Sequence, residues 1–294
     1  MIERILKPHY LFRPSQGARR LLRWAFPSPP GPVLLTLPWG LPIEVDTRED
    51  IGRAIWSLGL YDLAVSETLW RLLAPGDLSV DAGANIGYMT SIMALRTGPS
   101  GSVLAFEPHP EVFRRLTENV LRFHRYPSLA AIETSPLALG EKNGPCYLDC
   151  GEYFATNQGT ARITNRESSI PVEMTTLDHM LRDRTAALVK IDVEGGEPQV
   201  LAGAANALGE GRIRSLVYEA YASERQPLAE ILMGYGYRVF ALGRDLRRLI
   251  LSEPDAPPYL PAFETPNFLA TRDSDAVLAR LAPQGWRVLG SHQP

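Results

Sequence analysis

The run Val80-Asp81-Ala82-Gly83-Ala84-Asn85-Ile86-Gly87 decides how the rest of the sequence is read. The β-prone stretch LSVDAGA (78–84) passes through glycines into an apolar helical pattern that begins near Ile86. A strand that turns through glycine into a helix is the repeating unit of a parallel sheet with crossover helices. Gly83 lets the chain turn tightly and leaves room for a ligand against the main chain, and Gly87 permits close contact between helix and strand. The turn is expected to aim the amides of the helix N-terminus at that ligand.

The same alternation continues outward. SVLAFEP (102–108) reads as the second strand, and Pro110–Phe123 as its helix, with proline in the favoured first turn. LAAIETSPLAL (129–139) is the third strand, AALVKIDV (186–193) the fourth and IRSLVYEAY (213–221) the fifth. Helices are expected over Leu177–Arg182 and from about Pro198 to Leu208. YRVFAL (237–242) and NFLAT (267–271) are expected to end the sheet as an antiparallel, hairpin-like pair. The fold class is α/β with a mostly parallel sheet. Residues 76–294 form its domain, with an insertion at about 141–176. Residues 1–75 read as an N-terminal extension, mostly helical, with a proline-rich hinge at 27–33, a β-prone stretch after it and helical spacing from Asp46 to Leu73.

Composition agrees with a globular chain. Of 294 residues, 45% are hydrophobic and 21% charged, enough apolar material for a sizeable core. The formal net charge of −3 lacks the basic footprint that nucleic acid demands, so no nucleic-acid partner is expected. Cys146 and Cys150, four apart and without a histidine at metal-ligand spacing, read as reduced packing residues. No apolar run approaches the ~18 residues of a membrane span, and no signal-peptide pattern stands at the start, so a cytoplasmic location is expected. Up to Arg23 the chain carries six basic residues against Glu3, which suits either a solvated helical arm or one that docks on a membrane surface or partner. Oligomeric state is left open, a homodimer included.

The glycine turn also bears on the cofactor. Nicotinamide and flavin domains use G-x-G-x-x-G, which is absent because Asn85 fills the second glycine's place. Asp81, just before the turn, would repel a pyrophosphate but attract the ammonium of a methionine moiety. S-adenosylmethionine offers that ammonium, a sulfonium and no phosphate. Glu107 ends the second strand 20 residues beyond Gly87, where an acidic side chain can accept both ribose hydroxyls. Helix capping or ion pairing is the structural alternative for both acids. His109 reads as part of the turn before the next helix, and Asn119 as a helix-surface or helix-end residue.

VDAGANIGYMT (80–90), VLAFEPHPEVFRRLTENV (103–120), TTLDHML (175–181) and LVKIDVEGGEPQVLAGA (188–204) together resemble successive motifs of the FkbM-type S-adenosylmethionine-dependent methyltransferases. The resemblance runs from about Gly59 to Ala270 and is weakest before Leu58 and over 141–170. Gly196 departs from it, standing where the family more often has alanine. The resemblance implies a Rossmann-like class I methyltransferase sheet and S-adenosylmethionine as cofactor.

In a wound sheet the site lies at the carboxyl ends of the strands. Lys190, Asp192 and Glu194 alternate there and are expected to project to one side. Asp192, Glu219 and Lys190 are the catalytic candidates. Asp192 would handle the acceptor's proton or orient the acceptor, or else form an internal salt bridge with Lys190. Glu219 would join Asp192 in holding a hydroxyl or a divalent cation; no metal site is assigned, Mg²⁺ being the cation that such carboxylates suit. Glu194 would either meet the substrate or fix the turn into the next helix. Gly83, Ala84, Asn85 and Gly87 would shape the cofactor turn, Tyr61 would fold over the cofactor or pack in the core, and Pro136, Ala138 and Leu139 would receive the adenine. Asn157 and Gln158, in the insertion, would recognise an acceptor or remain a solvated loop. The expected activity is O-methylation of a hydroxyl on a small molecule or saccharide, with N-methylation of a peptide or protein as the alternative.

Overall fold

The computed structural model describes residues 29, 31–151, 154, 160–164, 166, 169–221, 223–256 and 266–290. The basic N-terminal arm, Asn157 and Gln158 lie outside the described residues. Strands β1 (Pro32–Thr36) and β2 (Pro42–Asp46) pair antiparallel, and helices α1 (Asp50–Leu58) and α2 (Leu63–Leu72) follow. The helical spacing from Asp46 to Leu73 therefore covers two helices. Gly59, at φ +77°, ends the first, and Asp62 starts the second by accepting a 3.0 Å hydrogen bond from the Val65 amide.

The wound part begins with β3 (Leu78–Ala82), α3 (Tyr88–Thr97), β4 (Ser102–Phe106), α4 (Pro110–Phe123) and β5 (Ala131–Ser135). It resumes with α5 (Leu177–Leu181), β10 (Ala186–Ile191), α6 (Glu197–Ala202), α7 (Ala205–Gly209), β11 (Ile213–Glu219), α8 (Arg225–Gly234), β12 (Arg238–Arg244), β13 (Leu249–Ser252), β14 (Asn267–Thr271) and α9 (Ser274–Leu281). The eight strands lie in the order β13-β12-β14-β11-β10-β3-β4-β5. Pairs β5/β4, β4/β3, β3/β10 and β10/β11 are parallel. The winding reverses between β3 and β10, and the crevice outside that switch point is where such sheets take ligands. This is the expected α/β sheet, mostly parallel with an antiparallel end. The end is more than a hairpin: β14 inserts between β11 and β12 and pairs antiparallel with both, while the hairpin partner of β12 is β13.

Two faces of the sheet are covered, and the strands alternate between them. Val103 and Ala105 face α2, α3 and α4, while Leu104 and Phe106 face α5, α6 and α8. Val103, Leu104 and Phe106, fully buried, each stabilise the fold by roughly 1.5–3 kcal/mol against exposure. The β1–β2 hairpin and α2 share the first of these cores through Trp39, Ile43 and Leu69. Asn119 is 1% exposed, not on a helix surface as expected. Its amide group donates to the Glu44 and Ile86 carbonyls and its oxygen accepts from the Glu44 amide, so it ties α4 to β2 and to the start of α3.

The third expected strand breaks at Pro136. Its first half is β5 of the main sheet, and its second half is β6 (Leu137–Leu139) of a separate one. With β7 (Gly144–Asp149), β8 (Arg162–Thr164) and β9 (Ile170–Thr175), β6 forms a four-stranded sheet ordered β6-β9-β7-β8. Cys146 sits in it and is not disulfide-bonded, as neither is Cys150. The helix expected over 198–208 is two short ones, α6 and α7.

Candidate functional site

One cleft opens at the carboxyl ends of β3, β4, β10 and β11, and its wall includes Leu148 and Ile163 of the small sheet and Ala161 just before β8. On the β3 side the chain turns through Gly83 at φ +75°. A methyl group there would come within 1.9 Å of the Asp192 carbonyl oxygen, so only glycine lets the turn pass β10. Asn85, at φ +49°, holds its own turn: its side-chain oxygen accepts from the Ile86 amide at 2.8 Å.

The amides of this turn do not face a ligand. Those of Gly83 and Ala84 both donate to the Phe106 carbonyl, at 3.0 and 2.9 Å, and that of Gly87 to the Ala84 carbonyl. The Asn85 amide donates to Glu107 Oε2 at 3.0 Å. The other Glu107 oxygen accepts from the His109 amide, also at 3.0 Å. Glu107 lines the cleft at 8% exposure, and burial pushes its carboxyl up to about 7 against the pull of those two amides.

Asp81 and Gly87 stand behind the cleft rather than in it. Asp81 is fully buried; Oδ2 accepts from Thr90 Oγ1 at 2.6 Å, and Oδ1 lies 3.2 Å from Lys190 Nζ. Its charge is met inside the protein by Thr90 and Lys190, and its side chain is not part of the cleft wall. Gly87 is where α3 crosses α4, a methyl group there meeting Leu116 Cδ1 at 2.9 Å.

Lys190 has three neighbours for its three protons: Asp81, the Gly83 carbonyl at 3.1 Å and Asp192 Oδ2 at 3.3 Å. Burial opposes its charge, but Asp81 and Asp192 outweigh that and hold the ammonium above its ordinary range. Lys190 is thus a fixed cation and has no lone pair to act as a base. Asp192, a third exposed, faces the cleft and shares a hydrogen bond with Glu219. Burial, then Asp192 and Glu194, push the Glu219 carboxyl well above the usual range, so the pair holds a proton at neutral pH. Glu194 adopts φ +57° just beyond β10, and Tyr221 Oη donates to its Oε2 at 3.2 Å. Burial, then Asp192, push Glu194 to about 7.

Tyr61 lines the cleft and meets Tyr88 edge-on, ring centroids 6.4 Å apart. Ala138 and Leu139 line it as well, whereas Pro136 is exposed outside it. The cleft also contains residues that the sequence reading passes over. Asp62 takes a 2.9 Å hydrogen bond from Asn267 Nδ2 across 205 positions, and Asn267 is the register partner of Glu219. Tyr221 is another. No local signal marks them, since each depends on a distant strand for its place. Among the described residues, no group of three or more histidines, cysteines, aspartates or glutamates is arranged to hold a metal ion.

The Methyltransferase FkbM domain matches residues 81–239, more than half the chain and the whole span from β3 into β12. The chain belongs to the FkbM methyltransferase family. Its relatives include the hexuronic acid methyltransferase AglP of Haloferax volcanii, 30% identical over 161 residues. That match covers 52% of this chain and 62% of the relative, so the chain spans under two thirds of AglP's length. Another is the 31-O-demethyl-FK506 methyltransferase FkbM of Streptomyces tacrolimicus, 29% identical over 205 residues, covering 58% of this chain and 75% of that one. Among solved structures, an FkbM methyltransferase from Methylobacillus flagellatus KT is similar with a TM-score of 0.46 and 16% identity, over 75% of this chain and 60% of that one.

Proposed function

We propose that this FkbM family chain is an S-adenosylmethionine-dependent O-methyltransferase acting on a hydroxyl of a small molecule or sugar. The observation that carries the reading is the fate of the turn amides. From Gly83 to Gly87 every one is bonded within the protein, and an acidic side chain, Glu107, stands among them. A turn with no free amide offers nothing to a pyrophosphate. A cofactor with a ribose but no phosphate suits it.

In this reading Glu107 accepts the ribose hydroxyls, its carboxylate already oriented by the Asn85 and His109 amides. The main chain of Gly83, Ala84 and Asn85 forms one wall, Ala138 and Leu139 receive the adenine, and Tyr61 covers the opening. Asp81 and Lys190 are positioning residues: the ammonium ties the Gly83 carbonyl to Asp192, so the cofactor turn and the acid pair keep a fixed separation.

S-adenosylmethionine, when bound, supplies the electrophilic methyl group and a neutral thioether leaving group. The chain must orient the acceptor hydroxyl and take its proton. Asp192 is the base, hydrogen-bonded to a protonated Glu219 that limits charge build-up in the pair. Asp192 would take the acceptor hydroxyl's proton during the transfer. The name of one relative, a 31-O-demethyl-FK506 methyltransferase, supports an oxygen acceptor, and that of another, a hexuronic acid methyltransferase, supports a sugar. Mg²⁺ has no part in this reading.

The test is incubation of the protein with methyl-labelled S-adenosylmethionine and source-cell extract, separated into small-molecule and macromolecular fractions. Label in small molecules, stable to mild alkali as an ether is, is expected. Label confined to the protein fraction would favour N-methylation of a peptide or protein.

A further inference from the structure

Five large apolar side chains are notably exposed among the described residues: Leu34, Leu121, Tyr221, Ile231 and Met233. Of these Tyr221 alone lines the cleft. Its ring, 39% exposed, is held in place from both ends. The hydroxyl donates to Glu194 Oε2 at 3.2 Å, and the backbone amide donates to Glu224 Oε2 at 3.3 Å. A tyrosine ring at a cleft mouth, apolar on its face and polar at its hydroxyl, suits contact with a ligand of the same mixed character.

What borders the ring selects the ligand. Glu194 lies against its hydroxyl, and Asp192 and Glu219 lie deeper in the same wall. Cations near the ring among the described residues include Lys190, committed to its three internal partners, and Arg162 of β8, whose charge acts on Glu194 and Tyr221. An anionic acceptor would face the negative charge that Asp192 and Glu219 share, beside the Glu194 oxygens. A plain aryl acceptor would stack on the ring yet offer Glu194 no donor beyond the Tyr221 hydroxyl it already has. A pyranose meets both demands, since its axial C–H face is apolar and its rim carries hydroxyl donors.

We propose that Tyr221 and Glu194 form an acceptor subsite that takes an uncharged sugar ring, stacked on Tyr221 and donating a hydroxyl to Glu194. This deepens the methyltransferase reading and rests on it. The ring sets which face of the sugar is buried, and therefore which hydroxyl turns toward Asp192.

Saturation-transfer NMR on the full chain tests this with methyl β-D-glucopyranoside as the probe and glucuronate as its anionic counterpart. Saturation is expected on the axial ring protons of the glucoside. Tyr221→Ala should reduce it about fivefold and Tyr221→Phe should retain it, the scale of a single aromatic contact. Glucuronate should receive less than the glucoside. Equal saturation in Tyr221→Ala, with its melting temperature unchanged, would overturn the subsite, as would a stronger signal from glucuronate. Titration of the wild-type protein with S-adenosylmethionine by calorimetry, run beside it, reports separately on the methyltransferase reading, because absent heat there leaves the sugar signal interpretable.

Discussion

Asp81 on β3 and Lys190 on β10 are register partners on neighbouring parallel strands, and their charged atoms lie 3.2 Å apart at 0% and 7% side-chain exposure. The pair crosses the sheet's switch point, where the cofactor turn and the acid pair must be held together. Removing one partner of a buried pair leaves an uncompensated charge and costs about 3–5 kcal/mol. Asp81→Asn should fall at the lower end, since Asp192 remains beside Lys190. Adding Lys190→Met should restore part of that loss, as read from urea midpoints. A loss of under about 1 kcal/mol in the single variant contradicts a stabilising pair.

Glu107 couples stability to cofactor binding with opposite signs. Its carboxyl titrates at about 7 in the fold, above its ordinary 4.5. A raised value means that the folded state favours the proton, so this stabilisation is complete below about 4.5 and is lost as pH rises through about 7. Glu194, also near 7, acts in the same direction. Ribose hydroxyls need the ionised carboxylate. The unliganded protein should therefore melt lower at pH 8 than at pH 5.5, while the rise in melting temperature on adding S-adenosylmethionine grows over that range. A rise that shrinks with pH would remove Glu107 from the ribose.

Two glycines of the turn should respond differently to one methyl group. Gly83→Ala drives a Cβ into the Asp192 carbonyl and should cost about 2–4 kcal/mol, with loss of cofactor binding. Gly87→Ala meets only the end of Leu116, so about 1–2 kcal/mol is expected, arising mostly from its φ of +90°. Thermal melts of both variants check the order.

The acid pair predicts a pH profile. Asp192→Asn should lower kcat by about 10²–10⁴, the usual worth of a positioned base. Raising pH past the elevated Glu219 value strips the shared proton and sets two anions against each other, so the wild-type rate should fall on the alkaline side. Glu219→Gln keeps a hydrogen bond without titrating and should abolish that alkaline limb. A profile identical to wild type in Glu219→Gln would separate Glu219 from the reaction.

Much of this was legible in the residues themselves. The strand-turn-helix patterns at 78–97 and 102–123 depend on neighbours in sequence, and local chemistry dictated them: glycine in the turn, proline at the start of α4, alternating apolar residues on the strands. Asp192, Glu194 and Glu219 could be found because charges inside apolar strand runs are conspicuous. Other features required the tertiary fold. Asp81 is an acid before a glycine turn on either account, and only the register of β3 with β10 gives it to Lys190. Asn119 looks amphipathic on its helix until β2 packs over it. Asp62 and Asn267 are ordinary polar residues until two strands and a helix cap meet. Pro136 likewise reads as one strand's interior, because nothing local says that the next three residues leave for another sheet.

In the proposed function the turn at 81–87 with Glu107 receives S-adenosylmethionine and not a pyrophosphate-bearing cofactor. Isothermal titration of the wild-type chain and of Glu107→Ala, with S-adenosylmethionine and with NAD, tests it most directly. Wild-type binding of S-adenosylmethionine with Kd in the range of about 1 μM to 1 mM, at least about tenfold weaker binding in Glu107→Ala, and no heat from NAD are expected. Comparable binding of NAD, or a Glu107→Ala affinity equal to wild type, would contradict it.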